Sequence, residues 1–135
     1  MRKPIDAIES CQELKKQAPL AVKDVIEAQK DLVKAGLCFL PEALIELLKI
    51  HNGIKGEDGA VLGINPKDDT LDIVRFNKAH NTSKHKVIIG YDDFAFLVYD
   101  EAKKKYLLLD RSDGLELDDF LENELTSAVS SVLHF

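Results

Sequence analysis

Residues 86–110 read KVIIGYDDFAFLVYDEAKKKYLLLD, and this stretch decides the fold. It holds three apolar runs, at 86–91, 94–99 and 106–110, that are rich in β-branched, aromatic and leucine residues. Runs of this kind are typical of β-strands. The links between them are too short for the helical crossover that parallel strands need. The stretch therefore predicts an antiparallel meander, in which each strand pairs with the next along the chain.

Helices are predicted ahead of this meander. Apolar residues recur at spacings near 3.6 and predict helices over residues 4–17, 20–35 and 41–51. A glycine follows each of the last two, at Gly36 and Gly53, where a helix commonly ends. Residues 59–64 are apolar and bounded by glycine, which predicts a strand.

The segment between that strand and the meander is polar and permits two interpretations. In the first, which we favour, Asp68, Asp69 or Thr70 caps a short helix that carries Leu71, Val74 and Asn77. In the second, residues 72–76 form a strand.

A short strand and a final helix are predicted after the meander. The turn signal at Asp113-Gly114 returns a strand over residues 115–117. Asp118 or Asp119 then caps a helix whose leucine and valine stripe runs almost to the C-terminus. With Asp119 as the cap, Glu122 completes an arrangement that resembles a capping box.

This order of elements predicts the α+β class. We expect a single domain over residues 1–135, with a central antiparallel β-meander flanked by N-terminal helices and a C-terminal helix. No run of about 18 apolar residues is present, so we expect no membrane span. Charged residues interrupt the start of the chain, which disfavours a secretory signal. Cys11 and Cys38 form neither a disulfide framework nor a metal quartet, which indicates reduced thiols in the cytoplasm.

The acidic residues are concentrated in the last third of the chain. Residues 1–86 hold 13 acids and 14 Lys or Arg, a net charge of +1, whereas residues 87–135 hold 11 acids and 4 Lys or Arg, a net charge of −7. An acidic surface disfavours binding to nucleic acid or to anionic lipid. It suits a basic protein partner, because opposite charges speed the encounter. The plainer alternative is that these acids serve solubility alone.

The sequence carries no catalytic pattern that we recognise. Asp92 and Asp93 are adjacent carboxylates that could bind a divalent metal or share a proton, but their position between two strands favours a turn. Residues 110–114 faintly resemble a calcium loop, lack its ligand register, and are likewise interpreted as a turn. Cys38 lies in an apolar run, a poor setting for a reactive thiol.

The histidines also have structural interpretations. His51 lies on the apolar stripe at the end of its helix, and His80 and His85 flank a polar loop without further metal ligands at supporting spacing. His134 is next to the C-terminus and is expected to be frayed. We therefore expect no catalytic residue, no cofactor and no metal, and infer that the protein is not an enzyme.

Two stretches carry a family resemblance. Residues 40–53 read LPEALIELLKIHNG, a helix that ends in Asn-Gly, and residues 87–94 read VIIGYDDF and open the meander. Together with FLVYD at 96–100 and YLLLDR at 106–111, they resemble the SUKH superfamily, immunity proteins related to a yeast cell-wall-synthesis regulator and to Syd. The matching order covers residues 20–134, and we expect residues 1–18 to be an N-terminal helical extension outside it.

The resemblance implies an α+β fold and a role without catalysis. Bacterial members act as immunity proteins that bind and neutralise toxin domains, often nucleases, delivered by neighbouring cells. We expect such a protein partner, and neither nucleic acid nor membrane, to be bound by an acidic face that occludes the toxin's basic cleft. The candidate contacts are acids at the strand ends and turns of the meander: Asp92, Asp93, Asp100, Glu101, Asp110 and Asp113.

Two other functions stay open from the sequence. One is a regulatory scaffold that binds a cellular protein without any toxin. The other, more remote, is a metal-dependent enzyme that uses Asp92, Asp93 and a histidine.

Overall fold

In the part of the chain that the structure describes, the centre is a seven-stranded antiparallel sheet. The computed structural model describes residues 15–16, 20–81 and 83–134. Within them the strands lie side by side in chain order, each antiparallel to the next. They are β1 (Lys15–Lys16), β2 (Ile54–Lys55), β3 (Gly59–Val61), β4 (Lys86–Asp92), β5 (Ala95–Asp100), β6 (Lys105–Asp110) and β7 (Glu116–Leu121). The meander expected over residues 86–110 is confirmed as β4, β5 and β6.

Along the described residues, two helices come between β1 and β2, one between β3 and β4, and one after β7. They are α1 (Val22–Lys34), α2 (Glu42–Leu48), α3 (Ile73–His80) and α4 (Leu125–Leu133). The α+β class is therefore confirmed. Of the helices in the described residues, none has the length and apolar character to cross a membrane.

The two faces of the sheet are covered by different helices. On one face α4 approaches so closely that a Cβ added to Gly90 would lie 3.3 Å from a methyl carbon of Val132. Successive residues of a strand point to opposite faces, so Tyr91 points the other way. There its ring stacks on Phe76 of α3, with the ring centroids 4.9 Å apart. The central strands are thus buried between α4 on one side and α3 on the other.

Buried asparagines make paired hydrogen bonds to the backbone at two places, one between a helix and the sheet and one between two loops. The side chain of Asn77 in α3 accepts the N–H of Ile88 at 2.7 Å and donates to its carbonyl at 2.8 Å. The side chain of Asn52 does the same with Ile64, accepting its N–H and donating to its carbonyl at 2.7 Å. Asn52 was interpreted from sequence as part of a helix stop, and it also has this second role.

The segment around residue 72 is helical, as we favoured. Asp68 accepts the N–H of Thr70 and begins a short 3₁₀ turn over Asp69–Leu71. Asp72 then caps α3 by accepting the N–H of Arg75 at 3.1 Å. The alternative strand over residues 72–76 is wrong, because two successive aspartate caps satisfy the amides that begin each helical turn.

The predicted start of the last helix is wrong. Asp118 and Asp119 do not cap it but lie in β7, opposite Leu108 and Leu107 of β6. Helix α4 begins only at Leu125, without a side-chain cap. Pairing along β6 supplies a whole row of backbone hydrogen bonds, which outweighs the cap preference of two aspartates.

The first predicted helix, over residues 4–17, falls mostly outside the described residues. Lys15 and Lys16 are described, and they form β1 against β2. The helix prediction is therefore wrong at these two positions. The second predicted helix is confirmed as α1, and Gly36 follows it with a φ of +84°, a backbone angle that favours glycine.

Candidate functional site

The six acids predicted from sequence lie at two opposite ends of the sheet. Strand β5 begins at Ala95, opposite Asp110, and ends at Asp100, opposite Lys105. The length of β5 therefore separates the two ends by about 17 Å. One end holds Asp92, Asp93, Asp110 and Asp113, and the other holds Asp100 and Glu101. The structure does not bring all six together on one face.

Asp92 is a structural residue rather than a surface contact. It is buried, and its Oδ1 accepts the N–H groups of Phe94 and Ala95 at 2.8 and 2.7 Å. Its Oδ2 lies 3.0 Å from His134 Nε2. The turn interpretation of Asp92 is confirmed, whereas the expectation that His134 is frayed is wrong. The carboxylate is occupied within the molecule, so we withdraw Asp92 as a partner contact.

Asp100 is withdrawn for the same reason. It is buried, and its Oδ1 accepts the N–H groups of Ala102 and Lys103 at 3.1 and 3.3 Å in the β5–β6 turn. Glu101, the next residue, is exposed, and its Oε2 accepts the N–H of Phe39 at 3.2 Å. Of the two predicted acids at this end of the sheet, Glu101 alone presents its carboxylate at the surface.

Asp110 and Asp113 organise the turn between β6 and β7. Asp110 Oδ1 accepts both the N–H and the hydroxyl of Ser112, at 2.7 and 2.5 Å. These hydrogen bonds hold the pKa of Asp110 below its usual value, and the bond from the Ser112 hydroxyl contributes most. Asp113 Oδ1 accepts the N–H of Leu115 at 2.9 Å and remains exposed. The turn interpretation of residues 110–114 is confirmed, and both carboxylates still face solvent.

A dense run of acids lies along β7, a strand that the sequence predicted only over residues 115–117. Residues 113–124 contain six acids and no Lys or Arg. Each is exposed or half-exposed. They lie on or beside β7, the last strand of the sheet. We call this surface the acidic edge, and it consists of Asp113, Glu116, Asp118, Asp119, Glu122 and Glu124.

The acidic edge also exposes leucines. Leu115, Leu117 and Leu121 are 65%, 53% and 53% exposed. A basic neighbour comes from β6, where Lys105 Nζ lies 3.2 Å from Asp119 Oδ2. Acids and leucines therefore alternate along an uncovered strand. The sequence does carry a signal for this strand. Residues 115–121 read LELDDFL, in which leucines and acids roughly alternate, as expected of a strand with one apolar face.

An aromatic and basic group lies near the end of the sheet where β4 and β5 join. The guanidinium carbon of Arg111 lies 4.6 Å from the centre of the Phe96 ring, and Arg111 Nη1 donates to the carbonyl of Asp92 at 2.8 Å. A groove of about 300 Å³ beside it is lined by Phe96, Arg111 and His80. The turn residue Phe94 is 78% exposed.

Metal and thiol chemistry find little support in the described residues. Over residues 15–16, 20–81 and 83–134, no group of three His, Cys, Asp or Glu side chains could hold a metal ion. Cys38 is buried, and its Sγ lies 3.7 Å from the carbonyl of Tyr99. Burial raises the pKa of this thiol to about 11. Because the thiolate is the nucleophile, Cys38 is unreactive at neutral pH.

Comparison with known proteins assigns no family. No protein-family model matches the chain, and no curated protein matches it in sequence.

Proposed function

We propose that this protein is a non-catalytic immunity protein of a bacterial cytoplasm, which binds a basic toxin domain and neutralises it. The observation that carries this proposal is the acidic edge, where six exposed or half-exposed acids follow one another without a Lys or Arg. Three exposed leucines among them add apolar area that a partner could bury. Acids that served solubility alone would not need leucines beside them.

The charge of the acidic edge indicates the class of toxin. A nuclease must hold phosphate groups, so its active cleft is basic. An acidic protein that enters this cleft replaces the phosphates and blocks the substrate. Opposite charges also raise the association rate, which matters for an inhibitor that must act before the toxin does.

Two further observations support the immunity role. Residues 40–53 and 87–111 resemble the SUKH superfamily, and the α+β fold agrees with that resemblance. The candidate contacts predicted at the turns are now fewer. Asp93, Glu101, Asp110 and Asp113 have carboxylates that reach solvent, and the three of them at one end of the sheet (Asp93, Asp110 and Asp113) lead into the acidic edge.

The test is co-expression with the product of the neighbouring gene, read out as rescue of growth. The edge variant combines Glu116→Lys with Asp118→Lys. Its matched control combines Glu27→Lys with Glu42→Lys, which changes the net charge equally at exposed positions of the helical half. We expect the wild type and the control to rescue growth and the edge variant to fail.

Association kinetics supply a second measurement on the same variants. At low salt, we expect the edge variant to bind the toxin domain about ten-fold more slowly than the control. Equal rates and equal salt dependence for the two variants would remove the acidic edge from the proposal. Binding to a cellular protein without any rescue of growth would instead support the regulatory scaffold.

A further inference from the structure

We infer that the outer edge of β7 pairs with an extended basic segment of the partner, which joins the sheet as an added strand. This inference rests on the proposed function above and states how the acidic edge binds. Addition of a strand to a sheet edge is a common mode of peptide recognition, in which main-chain hydrogen bonds supply affinity and side chains supply selectivity.

The outward amides of β7 are held by the chain's own carboxylates. The N–H of Asp119 donates to Asp118 Oδ1 at 2.8 Å, and the N–H of Leu121 donates to Glu124 Oε1 at 2.8 Å. Alternate residues of a strand direct their N–H groups to the same side, and these two bond to side chains rather than to β6. At Asp119 a main-chain carbonyl of an incoming strand could take the place of the carboxylate. At Leu121 the turn to α4 also occupies the carbonyl, which accepts the N–H of Glu124 at 2.8 Å, so an added strand ends there. The Asp118 carboxylate would then be free to contact the basic side chains of the added strand.

The position of β7 in the sheet leaves this side uncovered. It is the last strand in the order, and in the described part of the chain no other strand pairs with its outer side. The opposite edge of the sheet, β1, is only two residues long, whereas β7 has six. Proteins usually block long edges, and here acids and two side-chain hydrogen bonds do so against a neutral or acidic strand. A basic strand would be attracted by the same acids and could bury the exposed leucines.

The negative charge of β7 favours pairing with a basic segment and disfavours pairing with a second copy of this chain. Pairing two copies along β7 would place the three acids of one strand (Glu116, Asp118 and Asp119) beside the three of the other, and like charges on paired strands destabilise the pairing. A strand that alternates basic and apolar residues would instead meet both the carboxylates and the exposed leucines. The occupant is therefore a basic, extended segment of a different protein.

The test uses a short peptide of alternating lysine and valine, together with a twin that is N-methylated at every residue. The twin keeps every charge and side chain but has no main-chain N–H to donate from either edge. We expect the plain peptide to bind at low salt, and the Asp119 amide to change its chemical shift and exchange more slowly with solvent. The twin should bind about ten-fold more weakly, as expected for the loss of one or two hydrogen bonds.

A pair of variants tests the same point from the protein side. Asp119→Pro removes an outward N–H and leaves the bonds to β6, and proline is tolerated at such an edge position. Asp119→Ala removes the same charge but keeps the N–H. We expect the proline variant alone to lose binding of the plain peptide, with thermal unfolding recorded for both. The two peptides decide the question even if the proline variant does not fold.

Three results would overturn the inference. Equal binding of the plain peptide and its twin would mean contact through side chains only, and the proposed function would stand without strand pairing. A dimer of this protein that Asp119→Pro dissociates would make a second copy the occupant. Binding that also survives Glu116→Lys with Asp118→Lys would remove the acidic edge from both proposals.

Discussion

Asn77 continues the sheet beside Ile88 at the point where the neighbouring strand stops. Strand β3 ends at Val61, opposite Gly90, so β4 has no strand on that side at Ile88. There the Asn77 side chain accepts the Ile88 N–H at 2.7 Å and donates to its carbonyl at 2.8 Å. One side-chain amide thus replaces one step of backbone pairing and fixes α3 against the sheet.

Replacement of Asn77 by leucine should be strongly destabilising. The variant Asn77→Leu keeps a similar volume but leaves the N–H and the carbonyl of Ile88 buried without these bonds. We expect the free energy of unfolding to fall by about 2–4 kcal/mol, measured by urea denaturation. The exposed residue Asn123 provides the control, and Asn123→Leu should change it by less than about 0.5 kcal/mol. Equal effects of the two changes would contradict the role given to Asn77.

Adjacent aspartates at the β4–β5 turn should respond differently to substitution. Asp92→Ala removes the acceptor of two amides and the contact with His134, so we expect a loss of about 1–3 kcal/mol in unfolding free energy. Asp93→Ala alters an exposed side chain and should leave stability within about 0.5 kcal/mol. Thermal unfolding of the two variants side by side is the measurement. A larger loss for Asp93→Ala would reverse the assignment of turn and surface roles.

Gly59 is required by the close approach of α4. A Cβ at this position would lie 2.1 Å from the carbonyl oxygen of Val132 and 2.5 Å from that of Tyr91. Backbone cannot yield as a flexible side chain does, so Gly59→Ala should cost about 3 kcal/mol and displace α4. Gly114 is the control: it has a φ of +76° but open space around it, and Gly114→Ala should cost about 1 kcal/mol.

Cys38 should resist alkylation while the protein is folded. In the variant Cys11→Ser, we expect iodoacetamide to modify Cys38 only at the rate at which the protein opens, because the buried thiol stays protonated. Addition of urea above the unfolding midpoint should restore the rate of a free thiol. Rapid modification of the folded variant would show that Cys38 is accessible and ionised.

The same thiol gives a prediction on pH. Its pKa is raised from 9.0 to about 11 by burial, so in this range the folded state holds a proton that the unfolded state releases. Stability therefore falls as the pH rises from about 9 to about 11. We expect Cys38→Ala to lose less stability over this interval than the wild type, measured by urea denaturation at each pH. Identical pH profiles would contradict the raised pKa.

The sequence predicts the parts of the fold that have a strong local signal. The runs that became β4, β5 and β6 are apolar and closely spaced, and α1 has a clear stripe with Gly36 after it. Strand β7 was predicted only in part, because Asp118 and Asp119 have a strong local preference for a helix cap. Their pairing with β6 is a tertiary interaction, which no local pattern carries.

The candidate site was predictable in composition but not in arrangement. Acids at strand ends were expected, and the surplus of acids in residues 87–135 is real. Which carboxylates are used inside the molecule depends on distant contacts, such as that between Asp92 and His134. The sequence therefore indicated an acidic surface, but two of the contacts predicted from it, Asp92 and Asp100, are buried. The exposed acids of β7 were identified only from the structure.

The agreement between strand order and chain order has a consequence for folding kinetics. Strands β4, β5 and β6 are joined through residues 93–94 and 101–104, so their pairing closes only short loops. Pairing of β3 with β4 must instead close the longer connection through residues 62–85. We expect the central hairpins to nucleate the transition state, with α3 and β3 docking afterwards. The pairs β1–β2 and β3–β4 join parts of the chain that are farther apart, so we expect them to form after the hairpins.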